Sequence, residues 1–434
     1  MIFGFSLLLG LTALAPVFAV ADGLIVQQFI ALSASLALIV VAAASRTADI
    51  KQAAAITRWL RFTAFIPAVW LVVQIAPLPN SITHSIWTSA SAALQEKLFG
   101  HISVDPGKTI NALVQYLAGG ALVVVSILVL RDRRRAELML FALCASCTSM
   151  AVGLVLARAG YLGSIEEGSS ADLNETLVAV SMIGLLVNLA AAVRIIERYD
   201  GRRGETRQAY RSAAIKFAVC VAAAASCLLA LVSVATLNVG IVAAFGVATF
   251  ASIQLIRRIE FSPWLVGVFC ATAVVAAAMM VAWRYDGSRP VSMALQFATT
   301  ISADALVPVQ RMISDASWAG NGGGTFASLL PIYRDAGVSI SKAPTTAAAI
   351  TIEWGGPALI IAIALTIELT IVLILGALAR GRDSFFPAAA AACAVMLLGE
   401  AFCDASLLQS AVALTSAIVI GLGLAQSISR SGAG

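Results

Sequence analysis

Residues 358–378 read A-L-I-I-A-I-A-L-T-I-E-L-T-I-V-L-I-L-G-A-L, an apolar run interrupted by a single ionisable side chain, Glu368. About 20 apolar residues suffice to cross the ~30 Å hydrocarbon core of a bilayer as an α-helix. Similar runs recur along the chain, in which 60% of residues are hydrophobic and 12% charged, with a mean hydropathy of +0.94. Soluble domains carry about 25% charged residues. The sequence therefore predicts an all-α polytopic membrane protein.

The apolar runs predict about twelve transmembrane helices within a single membrane domain over residues 1–434. The connections at 21–23 and 236–238 are the shortest divisions between them. Residues 18–21 also resemble a small-residue cleavage site, but no positively charged segment precedes them, so we expect the first span to be retained. Its cleavage would leave eleven spans. The predicted spans are 2–20, 24–44, 62–78, 110–130, 138–156, 177–196, 217–235, 239–255, 265–281, 358–378, 385–401 and 407–425.

The placement of lysine and arginine predicts the orientation, because cytoplasmic connections of membrane proteins are enriched in both. Basic residues occupy every second connection, at 46–61, 131–135, 198–211, 257–258 and 380–382. With these connections inside, both termini are cytoplasmic, and residues 79–109, 158–173 and 284–352 lie outside. Of the 28 basic residues, those that remain outside are Lys97, Lys108, Arg158, Arg284, Arg289, Arg311, Arg334 and Lys342.

The long outer stretch, residues 284–352 between predicted spans 9 and 10, is the main polar interruption of the chain. It contains the glycine-rich segment W-A-G-N-G-G-G-T-F at residues 318–326. A protein made of membrane-spanning helices has little reason to keep such a stretch unless it carries function. We therefore expect any chemistry or glycan binding to lie here.

Other sequence features argue against metal, redox and nucleic-acid chemistry. Cys144 and Cys147 have a C-x-x-C spacing, but they fall within an apolar run and are interpreted as packing residues one helical turn apart. The chain has two histidines, His84 and His101, which argues against a histidine-based metal site, so no metal site is predicted. The net charge of +5 is attributed to cytoplasmic connections, and no nucleic-acid partner is predicted.

Ionisable residues in or near the spans are costly in a bilayer and are therefore expected to be paired or functional. We expect Arg194 to extend toward the cytoplasmic interface and Glu368 to make a polar contact between helices. Glu400 and Asp404 lie one turn apart near the outer side. An ion pair with Arg158 and a catalytic role both stay open for them. In the outer stretch 79–109, residues 85–99 are predicted to form an interfacial helix.

Three segments in this order resemble those of bacterial O-antigen ligases and polymerases, over roughly residues 70–425. Residues 312–326, followed by Tyr333 and Arg334, are similar to the G-x-G-x-G-T-F…Y-R segment of these proteins. Residues 342–346 and then 353–358 resemble the A-H-N and E-W/Y-G-x-x-G segments. Upstream, residues 102–109, I-S-V-D-P-G-K-T, resemble the I-S-x-D-P-x-x-T segment.

The resemblance implies a C-class glycosyltransferase-like fold in the bacterial inner membrane. Such proteins transfer a glycan from an undecaprenyl-diphosphate carrier at the periplasmic face, with no nucleotide sugar, metal or other cofactor. Other polysaccharide-assembly proteins are candidate partners alongside the lipid bilayer. In this chain the resemblance makes Glu353 the candidate base. The implied substrate-binding residues are Arg311, Arg334 and Lys342 for the diphosphate, and Asn321, Gly322, Gly323, Gly324 and Thr325 for the carrier or sugar.

Several charged residues of the family pattern are replaced. Pro344 stands at the position of the histidine in A-H-N, and Thr345 at that of the asparagine. The counterpart of an N-R-N segment is D-L-N-E-T at residues 172–176, with an acid in place of the arginine. The departures keep a second hypothesis open, a non-catalytic relative that binds a lipid-linked glycan or scaffolds a polymerase. A transporter or flippase is a third, from the span count alone, although no internal repeat supports it.

Overall fold

The computed structural model describes residues 1–58, 60–79, 83–161, 167–200, 207–234, 236–258, 292–299, 303–334, 342–380 and 383–427. Over these ranges the chain forms sixteen α-helices, two short 3₁₀ helices at Met293–Leu295 and Ser406–Leu408, and no strand. The helices are α1 Ile2–Val20, α2 Leu24–Ala44, α3 Thr47–Ile56, α4 Leu60–Ile75, α5 Ser85–Leu94, α6 Pro106–Val129, α7 Arg133–Arg158, α8 Glu167–Asp200, α9 Arg207–Val234, α10 Leu237–Arg258, α11 Ala303–Asp315, α12 Phe326–Tyr333, α13 Thr346–Glu353, α14 Gly356–Ala379, α15 Phe385–Glu400 and α16 Ser410–Ala425.

Eight helices of the described chain are long and apolar enough to cross a membrane: α1, α2, α6, α7, α8, α9, α10 and α14. Helices α4, α15 and α16 are apolar but have 16 residues each, about 24 Å at 1.5 Å per residue. These eleven helices coincide with eleven of the predicted spans. The ninth predicted span, 265–281, lies outside the described residues. The prediction of an all-α, multi-pass protein is confirmed at this level.

Helix α8 lies at the centre of the bundle, because 89% of its most apolar 18-residue stretch is buried inside the protein. The corresponding fraction for α14 is 17%, which places α14 at the periphery. It packs against α7, α9, α15 and α16. Small residues permit this close packing, because they let helix backbones approach one another. A side chain at Gly184 of α8 would come within 2.8 Å of Cβ of Cys147 on α7. Cys144 and Cys147 are buried free thiols, as the packing interpretation predicts.

The arginine-rich connections meet at one end of the bundle. Arg194 of α8 pairs with Glu137 of α7 and lies over the ring of Phe141, 4.8 Å from its centroid. Arg133 forms an ion pair with the same carboxylate of Glu137. It also pairs at 2.9 Å with Asp383, which precedes α15. The prediction that Arg194 extends to the cytoplasmic interface stays a prediction. Its guanidinium reaches Glu137 at this arginine-rich end of the bundle, and the side chains of Arg194 and Glu137 are 8% and 13% exposed.

The opposite end of the bundle carries the short helices α5, α11, α12 and α13. Helices α11, α12 and α13 build a small core of their own, which includes Met312, Phe326, Leu330 and Ile352. The outer stretch 284–352 is therefore helical and packed over its described part. Helix α5 confirms a helix within 85–99, with the indole of Trp87 donating to the carbonyl of Ser103 at 3.0 Å.

Glu368 of α14 makes the contact between helices that the sequence predicts. Its carboxylate accepts a hydrogen bond from the hydroxyl of Thr63 on α4. An intramembrane carboxylate with a polar partner on a neighbouring helix costs less than an isolated one. The contact also fixes α14 against α4, so the two helices that flank the candidate site are held together inside the bilayer region.

Candidate functional site around Glu353 and the glycine-rich loop

Glu353 ends the two-turn helix α13 and accepts hydrogen bonds from the backbone of the glycine-rich loop, residues 318–325. Its Oε2 accepts the amide of Gly324 at 2.7 Å, and Oε1 accepts that of Phe326 at 3.1 Å. The carbonyl of the same residue accepts the amides of Asn321 at 3.1 Å and Gly322 at 2.8 Å. The loop therefore wraps the C-terminal end of α13 and satisfies carbonyl groups that a helix end leaves without partners.

Glycine is required in this loop for two separate reasons. Gly322 and Gly324 have φ of +105° and +74°, a left-handed conformation that L side chains rarely adopt. At Gly323 the reason is space: an added Cβ would lie 2.9 Å from both Ala112 and Leu71. The loop is thus a tightly packed joint between α13 and the ends of α4 and α6.

Helices α4 and α6 hold the loop from the membrane side. The side-chain amide of Gln74 on α4 donates to the carbonyls of Ala319 at 2.8 Å and Glu353 at 3.0 Å. Thr109 near the start of α6 donates to the carbonyl of Gly323 at 3.2 Å. Helix α6 begins here because Asp105 caps it, accepting the amide of Lys108, with Pro106 at its first position. The I-S-V-D-P-G-K-T segment and the glycine-rich loop are therefore spatial neighbours.

Four aromatic side chains surround the loop. Trp318 packs against Trp70 with ring centroids 5.8 Å apart and the ring planes tilted by 39°, and Trp354 meets Tyr116 edge-on at 5.9 Å. The indole of Trp70 donates to the carbonyl of Trp354 at 2.8 Å. Trp318 is 70% exposed. An exposed indole fixed by a second ring offers an apolar face beside Glu353.

Burial raises the pKa of Glu353 from 4.5 to about 7, because a half-buried carboxylate loses hydration. The amides of Gly324 and Phe326 oppose this shift by donating to the charged form, and the positive charge of Lys108 opposes it further. The ammonium of Lys108 donates to the hydroxyl of Ser328 at 2.8 Å. A carboxyl with a pKa near 7 can accept a proton at neutral pH, as a general base must.

The structure brings the predicted loop residues to Glu353, and it pairs one of the predicted cations, Lys342, with a different helix. Arg311 and Arg334 are exposed, on α11 and at the end of α12. Lys342 pairs at 2.7 Å with Asp172 of α8, away from the loop. Of the loop residues, Asn321 and Thr325 are buried, and Thr325 donates to the carbonyl of Gly322. The amides of 321, 322, 324 and 326 are all engaged by Glu353, so they are not free to contact a sugar.

Sequence reasoning missed Lys108, Gln74 and Trp70 as site residues. The only signal was the position of Lys108 inside the I-S-x-D-P-x-x-T resemblance, which carried no role for it. Pro344 and Thr345, where the family has histidine and asparagine, lie at the start of α13. Thr345 caps that helix by accepting the amide of Ala348 at 3.0 Å, and it donates to the carbonyl of Ala294 at 2.7 Å.

No family model matches the chain, and no curated protein matches it.

Proposed function

We propose that this protein binds an undecaprenyl-diphosphate-linked glycan at the periplasmic face of the bacterial inner membrane and transfers the glycan to an acceptor. It would act as an O-antigen ligase-like or polymerase-like glycosyltransferase with twelve spans and both termini in the cytoplasm. Glu353 is the proposed base that removes a proton from the acceptor hydroxyl. The observation that carries the proposal is the carboxyl of Glu353, tuned to a pKa of about 7 and placed beside an exposed indole and a lysine.

The surroundings of Glu353 suit each part of such a substrate. The exposed face of Trp318 suits the apolar face of a sugar ring, and the nearby lipid-facing helices suit an isoprenoid chain. Lys108 supplies a positive charge next to the carboxylate, and Lys and Arg bind phosphate groups through charge-assisted hydrogen bonds. Arg311 and Arg334 are exposed on the same outer segment and remain proposed diphosphate ligands.

The orientation is supported by the distribution of charge along the bundle. The arginine-rich connections lie at one end, where Arg133 and Arg194 share Glu137. Glu353 and the loop lie at the other end. Because cytoplasmic ends of membrane proteins are enriched in arginine and lysine, the site is proposed to be periplasmic.

A second candidate function is a non-catalytic glycan-lipid-binding or scaffold protein. It is favoured by one observation: both carboxylate oxygens of Glu353 already accept backbone amides. A carboxylate can serve as a clamp in this way without any chemistry. The replacement of the family histidine by Pro344 points the same way.

The test is to incubate the purified protein in nanodiscs with undecaprenyl-diphosphate glycan and an acceptor glycan, and to measure transfer and binding separately. Transfer supports the enzyme, and binding without transfer supports the second function. If neither occurs with any glycan lipid tested, both proposals fail.

Single variants assign the cation that holds the diphosphate. Lys108→Gln, Arg311→Gln and Arg334→Gln should each weaken donor binding if they contact it, since a charge-assisted hydrogen bond contributes about 1.5–3 kcal/mol, roughly tenfold in affinity per 1.4 kcal/mol. Lys97→Gln, at an exposed lysine in the same outer stretch as Lys108, is the matched control. Equal effects in all four variants would indicate nonspecific electrostatic attraction instead of a diphosphate site.

A further inference from the structure

A pair of carboxyl groups, separate from Glu353, lies where α15 meets the start of α13. Glu400 is the last residue of α15, and Asp404 follows it by one turn. Both are buried, with 0% and 2% of their surfaces exposed. The amide of Ser406 donates to Oδ1 of Asp404 at 2.9 Å, and its hydroxyl donates to Oε1 of Glu400 at 3.4 Å. Oε2 of Glu400 is buried and has no hydrogen-bond partner within the described part of the chain.

The groups that face the pair do not neutralise it. Among the described residues, the groups that interact with the carboxyl of Glu400 are Asp404, Ser406 and a further acid, Glu175 on α8. On its own helix, the buried thiol of Cys393 lies about two turns before Glu400. Lys342, which precedes α13, is paired with Asp172. Burial also raises the pKa of Asp404. Two adjacent buried carboxylates that no cation of the described chain contacts cannot both be charged, so one of them keeps a proton.

The turn that carries the pair anchors the N-terminal end of α13. The carbonyl of Asp404 accepts the amide of Thr346 at 2.9 Å and its hydroxyl at 3.1 Å, and the carbonyl of Ala401 accepts the amide of Ala347 at 2.8 Å. Helix α13 has eight residues, so Glu353 lies only about 10 Å along the axis from this anchor. A movement of the turn is therefore transmitted through a short rigid element to Glu353.

We infer that Glu400 and Asp404 share one proton at neutral pH, and that this protonated pair is a positioning group that fixes α13 and, through it, Glu353. The shared proton supplies the missing partner of Glu400 Oε2. Its loss would place two negative charges in a buried site beside Glu175 and displace the turn. The significance of Glu353 for chemistry rests on the proposed function. The sharing of the proton and the coupling to Glu353 do not.

Infrared spectroscopy of the full-length protein in lipid tests the shared proton directly. A protonated carboxyl has a C=O stretch distinct from that of a carboxylate. At about pH 9, far above the pKa of ordinary carboxyls, we expect the wild type to keep such a band. Glu400→Gln and Asp404→Asn should each remove it. Glu368→Gln, which alters an intramembrane carboxyl on α14, should leave it in place. Absence of the band in the wild type at this pH overturns the inference.

The coupling to Glu353 is tested by a pH titration of the Glu353 carboxyl, followed by infrared spectroscopy. The midpoint of this titration is obtained from the difference spectrum between each protein and its Glu353→Gln derivative. Glu400→Gln mimics the protonated form and should leave this midpoint unchanged. Glu400→Ala removes the pair and should shift it by about one pH unit or more. Asp404→Ala serves where Glu400→Ala does not fold. If the wild type shows the band of the protonated carboxyl but the Glu353 midpoint does not shift in the alanine variants, the pair is not coupled to Glu353 and has only a structural role. Failure of glycan transfer would change neither readout.

Discussion

Glu353 and Gly324 are separated by 29 residues, yet the amide of Gly324 donates to Oε2 of Glu353 at 2.7 Å. Gly324 has a φ of +74°, a left-handed conformation that L side chains rarely adopt. One side chain thereby fixes the loop, closes the end of α13 and holds the candidate base in a single orientation. This carboxyl both stabilises the loop and is the proposed base, so variants at position 353 must be designed to separate the two roles.

Replacing Glu353 by Gln should abolish glycan transfer and weaken donor binding much less. The amide side chain has the shape of the carboxylate but cannot act as a base. Its NH₂ group also faces one of the two backbone amides and leaves it without an acceptor, which costs about 1–3 kcal/mol. Transfer, donor binding and thermal unfolding should be measured on the same preparation. Normal transfer in this variant would show that Glu353 is a structural clamp only.

As the pH rises toward and through 7, ionisation of Glu353 should increase the rate of glycan transfer and decrease the stability of the folded protein. A base with a pKa of about 7 is active when deprotonated, so the transfer rate should rise as the pH increases through 7 and then level off. The folded protein binds this proton more tightly than the unfolded chain. The free energy of unfolding therefore falls as the pH rises from 4.5 to about 7. The difference between wild type and Glu353→Gln isolates this contribution, and a difference that is flat in pH contradicts it.

Gly323→Val should impair function while membrane insertion persists. Its Cβ would lie 2.9 Å from Leu71 and Ala112, and overpacking of this kind costs about 1–3 kcal/mol. Insertion depends on the apolar spans and should not change. Gly120→Val on α6 is the control, because nothing lies within 4 Å of a Cβ there. If the Gly323 variant retains wild-type stability, donor binding and transfer, the loop tolerates a side chain and is not a packed joint.

The proposed orientation can be checked with cysteine at two exposed positions, Ser314 on α11 and Arg134 on α7. A membrane-impermeant thiol reagent applied from the periplasm should label Ser314→Cys and spare Arg134→Cys. The natural cysteines in the described ranges are buried, so the wild type is a suitable background control. The reverse pattern would invert the orientation of the whole chain, since the alternation of basic connections fixes all loops together.

Arg194→Gln should destabilise the protein more than Arg133→Gln does. The Arg194 side chain is 8% exposed and that of Arg133 is 46% exposed, and both pair with Glu137. Breaking a buried ion pair by removing one partner costs about 3–5 kcal/mol, whereas an exposed pair contributes about 0–1 kcal/mol. Thermal unfolding in detergent compares the two. Equal losses would indicate that Arg194 is in contact with solvent.

Helix positions could be predicted from the sequence because apolar runs of spanning length have few alternative structures in a bilayer. The span predicted from residue 110 begins four residues inside α6, which starts at Pro106. The partners of the charged residues were not readable. Glu137 and Arg194 lie on different helices, and only their packing reveals the pair. The same holds for Glu353, whose neighbours Gln74 and Lys108 come from distant segments. The predicted cations Arg311, Arg334 and Lys342 were taken from the family resemblance. Lys342 pairs with Asp172, and the role of all three in binding a diphosphate stays a prediction.

The two ends of α13 are held by segments that are synthesised at different times. Asn321 and Gly322, which bind its C-terminal end, precede it, whereas Ala401 and Asp404, which bind its N-terminal end, follow it by about 50 residues. An eight-residue helix has little stability in isolation. During synthesis, which proceeds from the N-terminus, the N-terminal end of α13 therefore stays without its anchor until α15 has been made. A chain truncated before residue 400 would contain every predicted site residue but would lack this anchor.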